Sequence, residues 1–317
     1  MARNNDGKIG RPPCGAIIVV ILVIGKDGQV GRELQKKLAH RPQVHFWGRH
    51  DFDLLQTSEN AEAITELNPS IIINAAAFTA VDDAETSQAL ADRVNHTSVG
   101  ELAMIAASIK SRLIHFSTDY VFDGKKQTSY SESDIENPIN IYGKTKLLGE
   151  QAVIEANCDY LILRTSWVYS ATGKNFVRTI LNLARTRKKL EVVDDQVGTP
   201  TSAGFVAQMT AEALDSQNLD RGVYHLTARG FTSWFGLTKR ILEKGRALAL
   251  PGFETLGACE VTPVTSAQFA TEAARPARSV LSSDLFFSRS GLHQPSWEEV
   301  LDAELPEIMA TLGGPNG

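Results

Sequence analysis

AIIVVILVIGKDGQVG, residues Ala16–Gly31, sets the reading of everything after it. The apolar run Ala16–Ile24 is nine residues long, far short of the roughly 20 needed to cross a bilayer. It is rich in Ile and Val with no polar alternation, the pattern of a strand buried on both faces. Gly25, Gly28 and Gly31 follow, and then a helical pattern over Val30–His40. Further strands are expected at Gln43–Trp47, Ile71–Asn74, Leu113–Ser117 and Tyr160–Arg164, with helices between them at Ser58–Leu67, Gln88–Lys110 and Asn140–Asn157. Apolar strands alternating with helices predict an α/β fold built on a doubly wound parallel sheet.

After Thr172 the pattern loosens. Helices are expected at Asn175–Arg187, Ala203–Leu214 and Trp234–Lys244, with short strands at Leu190–Val193 and Val223–Leu226. The expected organisation is a nucleotide-binding domain over 16–170 and a smaller C-terminal α/β lobe, mainly for substrate, over 171–317. Its boundaries are approximate, and the return of lobe strands to the sheet is left open. Met1–Gly15 carries two prolines and no apolar stretch, and reads as a disordered leader and not a signal peptide.

The net charge of −5 over 317 residues argues against a broad nucleic-acid face, which requires a basic stripe. Cys14, Cys158 and Cys259 are odd in number and far apart, without zinc-like or redox spacing, so the chain reads as reduced and cytoplasmic. No membrane segment is expected.

Gly25, Gly28 and Gly31 sit between a buried strand and a helix. There they allow a tight turn, close approach of a pyrophosphate to the backbone, and helix–sheet packing, the arrangement of a Rossmann-type dinucleotide site. Glycines also make plain turns; the placement favours the cofactor. An acid that would bind the adenosine ribose is expected about 20 residues on. The second strand instead ends in Gly48-Arg49. Arg49 would pair with a 2′-phosphate that an acid would repel, which favours NADPH, with NADH as the alternative. Asp53 is within reach of the adenine edge.

Carboxyl ends of parallel strands face the ligand crevice, so Ser117, Thr118 and Asp119 are expected there. Tyr142 and Lys146 are spaced i, i+4, one above the other on a helix. A hydroxyl, a phenol and an ammonium beside a nicotinamide make a carbonyl-reduction site. Lowering a phenol from a pKa near 10 towards ~7 corresponds to roughly 4 kcal/mol, part of which an adjacent Lys⁺ would supply.

Seven segments resemble the dTDP-4-dehydrorhamnose reductase family of extended short-chain dehydrogenase/reductases, over about Ile18 to beyond Leu281. They are GKDGQVG, NAAAFTAVD (Asn74–Asp82), STDYVFDG (Ser117–Gly124), YGKTKLLGE (Tyr142–Glu150), RTSWVYS (Arg164–Ser170), DQVGTPT (Asp195–Thr201) and ARPARSVL (Ala274–Leu281). The resemblance implies NADPH-dependent reduction of the C4 keto group of dTDP-4-dehydro-β-L-rhamnose. Gly28, Gln29 and Val30 would meet the pyrophosphate, and Ala75, Ala76 and Ala77 the adenosine side. Thr118 would bind the sugar carbonyl, Tyr142 would donate the proton, and Lys146 would hold the nicotinamide ribose. Trp167 would lie against the sugar, with Asp119 beside it, and Arg275 would meet the diphosphate.

Three departures stand out: Phe78 where histidine is frequent, Arg278 where asparagine is usual, and Gly48 in place of the ribose-binding acid. Some family members bind magnesium through glutamates at a dimer contact. Glu33 falls at one such position, the other ligands are not placed, and no metal ligand is assigned; a homodimer is left open. The rival from another class is a non-catalytic nucleotide-binding subunit like the regulatory β subunit of methionine adenosyltransferase. A related nucleotide-sugar epimerase or dehydratase is a further rival. Dehydratases usually carry glutamate after a Thr-Asp pair, where this chain has Tyr120.

Overall fold

A computed structural model describes residues 19–57, 60–216, 218–269 and 271–313; the expected leader 1–15 lies outside them. The first half alternates as the sequence predicts: β1 (Ile21–Ile24), α1 (Gln29–Leu38), β2 (Val44–Trp47), α2 (Ala61–Leu67), β3 (Ile71–Asn74), α3 (Val81–Thr86), α4 (Gln88–Asp92), α5 (Ser98–Ser108), β4 (Arg112–Thr118), α6 (Ile141–Glu155) and β5 (Asp159–Thr165). The second half contributes α7 (Phe176–Thr186), β6 (Lys189–Val193), α8 (Ala203–Ala213), β7 (Gly222–His225), α9 (Trp234–Leu248), β8 (Glu260–Val264), α10 (Asp284–Ser290) and α11 (Trp297–Gly313). The first strand, Ile21–Ile24, takes up the end of the apolar run Ala16–Ile24, whose first three residues lie outside the described residues.

The central sheet has six parallel strands in the order β7-β5-β4-β3-β1-β2. The chain steps outward from β1 to β2, then returns across β1 to β3. That reversal opens a crevice at the carboxyl ends of β1 and β3. Alternate residues of β1 serve different cores: Ile21 and Val23 face α1 and the C-terminal elements, while Leu22 and Ile24 face the side of α2 and α5. Both faces are covered, which explains why β1 reads as an unbroken apolar run. β7 extends the sheet beside β5, Gly222 opposite Leu161 through His225 opposite Arg164. β6 and β8 form a separate parallel pair.

The expected single helix Gln88–Lys110 is interrupted by a π-helical turn, Arg93–Thr97. The widened turn directs Asn95 inward. Its side-chain amide accepts from the backbone N–H of Phe78 at 2.8 Å and donates to the Phe78 carbonyl and to Thr145 Oγ1. The Asn95 carbonyl lies so close to α6 that a Cβ on Gly149 would stand 2.1 Å from it, so only glycine fits there.

α6 starts at Asn140, whose Oδ1 accepts from the Gly143 N–H at 2.7 Å. It is held to β5 by a buried ion pair. Arg164, 1% exposed, donates from Nε to Glu150 Oε1 at 3.0 Å and from Nη2 to Glu150 Oε2 at 2.6 Å, and also meets Glu136. Removing one partner of such a pair leaves a buried charge uncompensated, at about 3–5 kcal/mol. Arg164→Leu is therefore expected to lower the unfolding free energy by about that much in urea titration; a loss below about 1 kcal/mol would show that Glu150 does not depend on it.

Candidate active site

A cavity of about 930 Å³ fills the crevice. Its floor is the turn between β1 and α1. Gly25, Gly28, Gln29 and Val30 line it, and α1 begins there with no side chain capping its N-terminal amides. Gly31 does not reach the cavity. A Cβ on it would lie 2.0 Å from the Gly25 carbonyl, so its absence lets α1 close onto the turn. The Gln29 side chain is taken by the C-terminal half, accepting from Ser170 Oγ and Asn175 Nδ2.

Arg49 and Asp53 border the cavity beyond β2, with Arg49 74% exposed along its side chain and 3.5 Å from the Asp53 carboxylate. Ala75, Ala76, Ala77 and Phe78 form the wall after β3. The hydroxyls of Ser117 and Thr165 are buried without a partner and also belong to this cavity. A glycine turn whose helix amides no side chain caps, and small walls after β3, suit a dinucleotide.

Thr118, Asp119, Tyr142 and Lys146 meet on the far side of the same cavity. Thr118 Oγ1 donates to Asp119 Oδ1 at 3.1 Å and also faces the Tyr142 phenol; Ser279 Oγ donates to the other Asp119 oxygen. Burial pushes the Asp119 carboxyl up to about 7, against those two hydrogen bonds. Burial also pushes the Tyr142 phenol up to about 12, opposed by Thr118 and reinforced by Asp119. The expected lowering by Lys146 is therefore corrected. The amine end of Lys146 is held by His115 Nε2 at 3.1 Å and by the Phe116 carbonyl at 2.7 Å. Burial brings Lys146 itself down to about 8, with Glu150 opposing.

Trp167 also lines the cavity, in a left-handed backbone conformation (φ 47°), its indole stacked on Trp234 with centroids 3.4 Å apart. Trp234 borders a second cavity of about 650 Å³ with Arg187, Lys189, Gln196 and Arg275. Arg275 lines only this second one, and its guanidinium is held by Asp82 of α3 at 2.7 and 3.1 Å. The same carboxylate accepts the Ala273 N–H, and the next carbonyl, Ala274, accepts from Asn140 Nδ2. Arg278 lies over the Phe231 ring, 4.4 Å from its centroid. Glu33 pairs with Lys36 and stands near Glu304. Among the described residues no group of three or more His, Cys, Asp or Glu side chains suits a metal ion.

Compared with known proteins, residues 19–309 match the model of the RmlD substrate binding domain family. The chain belongs to this family. It is 43% identical over 284 residues to a dTDP-4-dehydrorhamnose reductase of Burkholderia thailandensis, covering 87% of this chain and 95% of that protein. Among solved structures, it resembles a dTDP-4-dehydrorhamnose reductase of Clostridium acetobutylicum (TM-score 0.85, 36% identity, 92% of this chain and 100% of that one). It also resembles the Bacillus anthracis dTDP-4-dehydrorhamnose reductase in complex with NADP (TM-score 0.84, 33% identity, 92% and 100%).

Several site residues of this RmlD-family chain were not singled out from sequence: Asn74, Asn95, His115, Thr165, Trp234 and Ser279. His115 stands three residues before Thr118 on the same strand, a position from which it could have been found. Trp234 and Ser279 come from remote segments that only the folded chain brings near.

The Asp119 carboxyl binds its proton more tightly in the folded chain than in the unfolded one. Its contribution to stability is complete below about pH 4 and is lost as pH rises from there through about 7. Asp119→Asn is expected to gain on the wild type between about pH 5 and pH 8, by roughly 2–4 kcal/mol in urea unfolding. A constant difference across that range would place the carboxyl's titration elsewhere.

Proposed function

We propose that this protein reduces the C4 keto group of dTDP-4-dehydro-β-L-rhamnose with NADPH, giving dTDP-L-rhamnose. The observation that carries the reading is the meeting of Thr118 and Tyr142 hydroxyls in the cavity that the glycine turn opens. Family membership supports it, and so does the reductase name carried by its relatives.

Residues fitted to NADPH are the α1 amides and the Gly25–Val30 turn for the pyrophosphate, and Ala75–Ala77 for the adenosine. Arg49 takes the 2′-phosphate, with Gly48 leaving no competing acid. When bound, the dinucleotide supplies the hydride. Thr118 and Tyr142 hold the substrate carbonyl oxygen, and Tyr142 transfers its proton to that oxygen as negative charge builds there. A phenol held near 12 stays protonated at neutral pH, so the acid is always loaded. The nascent alkoxide is more basic still, and the transfer runs downhill. Lys146 gives an N–H to the nicotinamide ribose. Trp167 offers the sugar an apolar face, and the second cavity takes the nucleotide, with Arg187, Lys189 and Arg275 as countercharge for its diphosphate. The cytoplasm is the compartment we propose; none of the described helices is long and apolar enough to cross a membrane.

A non-catalytic subunit has no need of Thr118, Tyr142 and Lys146 converging on one cavity, so the enzyme reading is preferred. NADPH absorbance is expected to fall when dTDP-4-dehydro-β-L-rhamnose is added, and Tyr142→Phe to slow kcat by about 10²–10⁴-fold. Arg49→Ala is expected to raise KM for NADPH about tenfold while leaving NADH unaffected. Tight NADPH binding without turnover would overturn the reaction; equal effects on both cofactors would overturn the role of Arg49.

A further inference from the structure

The glycine turn after β1 is tied to the end of β2. Gly25 and Lys26 both donate their backbone N–H to the Trp47 carbonyl, at 2.8 and 3.1 Å. The residue after Lys26 is thereby set against the residue after Trp47, which puts Asp27 over Gly48. A Cβ on Gly48 would stand 2.3 Å from Asp27 Oδ2, closer than a non-bonded carbon and oxygen can come. The Asp27 carboxylate therefore occupies the space that a side chain at position 48 would need. Asp27, Gly48 and Arg49 all line the first cavity.

The basic side chains of these segments are engaged elsewhere. Lys26 Nζ lies 2.6 Å from Asp51 Oδ2, and Asp51 is fixed further by the Gly48 N–H at 2.8 Å. Arg32 Nε donates to the backbone carbonyl of Asp27 at 2.9 Å, not to its carboxylate. Arg49 lies 3.5 Å from Asp53. Among the described residues the Asp27 carboxylate takes part in no ion pair, and the residue is exposed. It is an acid held in place by the backbone and left with its acceptor oxygens unspent.

In a dinucleotide fold the acid that binds the ribose 2′-hydroxyl comes from the end of the second strand. Gly48 leaves β2 itself with no such acid, and by lacking a Cβ it admits one from the turn. We propose that Asp27 reads the 2′ position of the cofactor's adenosine ribose, so that this chain accepts NADH as well as NADPH; this rests on the dinucleotide assignment of the first cavity and not on the sugar substrate. A carboxylate accepts a hydrogen bond from a 2′-hydroxyl. Against a 2′-phosphate, which carries roughly −1.5 to −2 charges at pH 7, it offers only repulsion. Arg49, the residue next to Gly48, acts in the opposite sense. The two side chains flank one glycine and pull the cofactor preference in opposite directions.

The test is calorimetric binding of NAD⁺ and NADP⁺ to the full chain and to three variants: Asp27→Asn, Asp27→Ala, and the exchange Asp27→Gly with Gly48→Asp. The wild type is expected to bind both, with Kd values within about tenfold of each other. Asp27→Asn is expected to bind NADP⁺ about tenfold more tightly, because the repulsion is gone. Asp27→Ala is expected to do the same and to bind NAD⁺ about tenfold more weakly, having lost a hydrogen bond to a charged acceptor. The exchange returns an acid to β2 and is expected to recover NAD⁺ affinity relative to Asp27→Ala. Asparagine has the size of aspartate, so Asp27→Asn carries the test alone where the other variants do not fold.

Equal weakening of both dinucleotides would reduce Asp27 to a packing element of the turn and overturn the proposal. So would variants that move neither, or a wild type that binds NADP⁺ more than about a hundredfold more tightly than NAD⁺. A wild type that binds neither dinucleotide would overturn the cofactor assignment and this proposal with it. Opposed shifts in a protein inactive on the nucleotide sugar would sink the reductase reading and leave the role of Asp27 standing.

Discussion

Burial of both faces of the parallel sheet is the constraint on which the rest of the molecule depends. Once β1, β3, β4 and β5 are covered on either side, their ends are the places where backbone and polar side chains can meet a ligand. All strands run the same way, so one edge of the sheet collects every carboxyl end. The glycine turn after β1, the alanine wall after β3 and Thr118 at the end of β4 come together for that single reason. α6 then has to be fixed against the sheet, and the Arg164–Glu150 pair does so from inside the core.

Burial also sets the electrostatics of the site. Desolvation is the largest cause of the shifts at Asp119, Tyr142 and Lys146, and it acts towards the uncharged form of each. Each group is drawn towards its uncharged form, and the phenol of Tyr142 lies furthest from ionisation at neutral pH. A phenol that keeps its proton suits a reaction in which it gives that proton to a stronger base.

Much of this was legible in the sequence because it depends on local pattern. Apolar runs of Ile and Val marked the buried strands, glycine spacing marked the turn, and the four-residue interval put Tyr142 and Lys146 on one helical face. The parts that escaped depend on remote contacts. Nothing in the local pattern around Gly222 says that it adds a strand beside β5. The π-helical turn at Arg93–Thr97 is set by what Asn95 reaches across to, not by its neighbours in the chain. Local pattern marks Arg275 as a candidate for an anion but does not show that Asp82, nearly two hundred residues earlier, holds its guanidinium. The direction of the phenol's shift is not legible from the four-residue spacing, because burial, its largest cause, depends on the folded chain.

The carboxylate of Asp82 grips one short segment twice, through the Ala273 N–H and the Arg275 guanidinium, while Asn140 takes the carbonyl between them. Asn140 is also the residue that starts α6, two positions before Tyr142. The segment is thus a latch with its two catches on different helices, one of them the helix that bears the acid. Anything that draws the Arg275 side chain off Asp82 loosens a peptide tied to the first turn of α6. The rim of the second cavity and the start of the helix that carries the phenol are thus joined through one peptide.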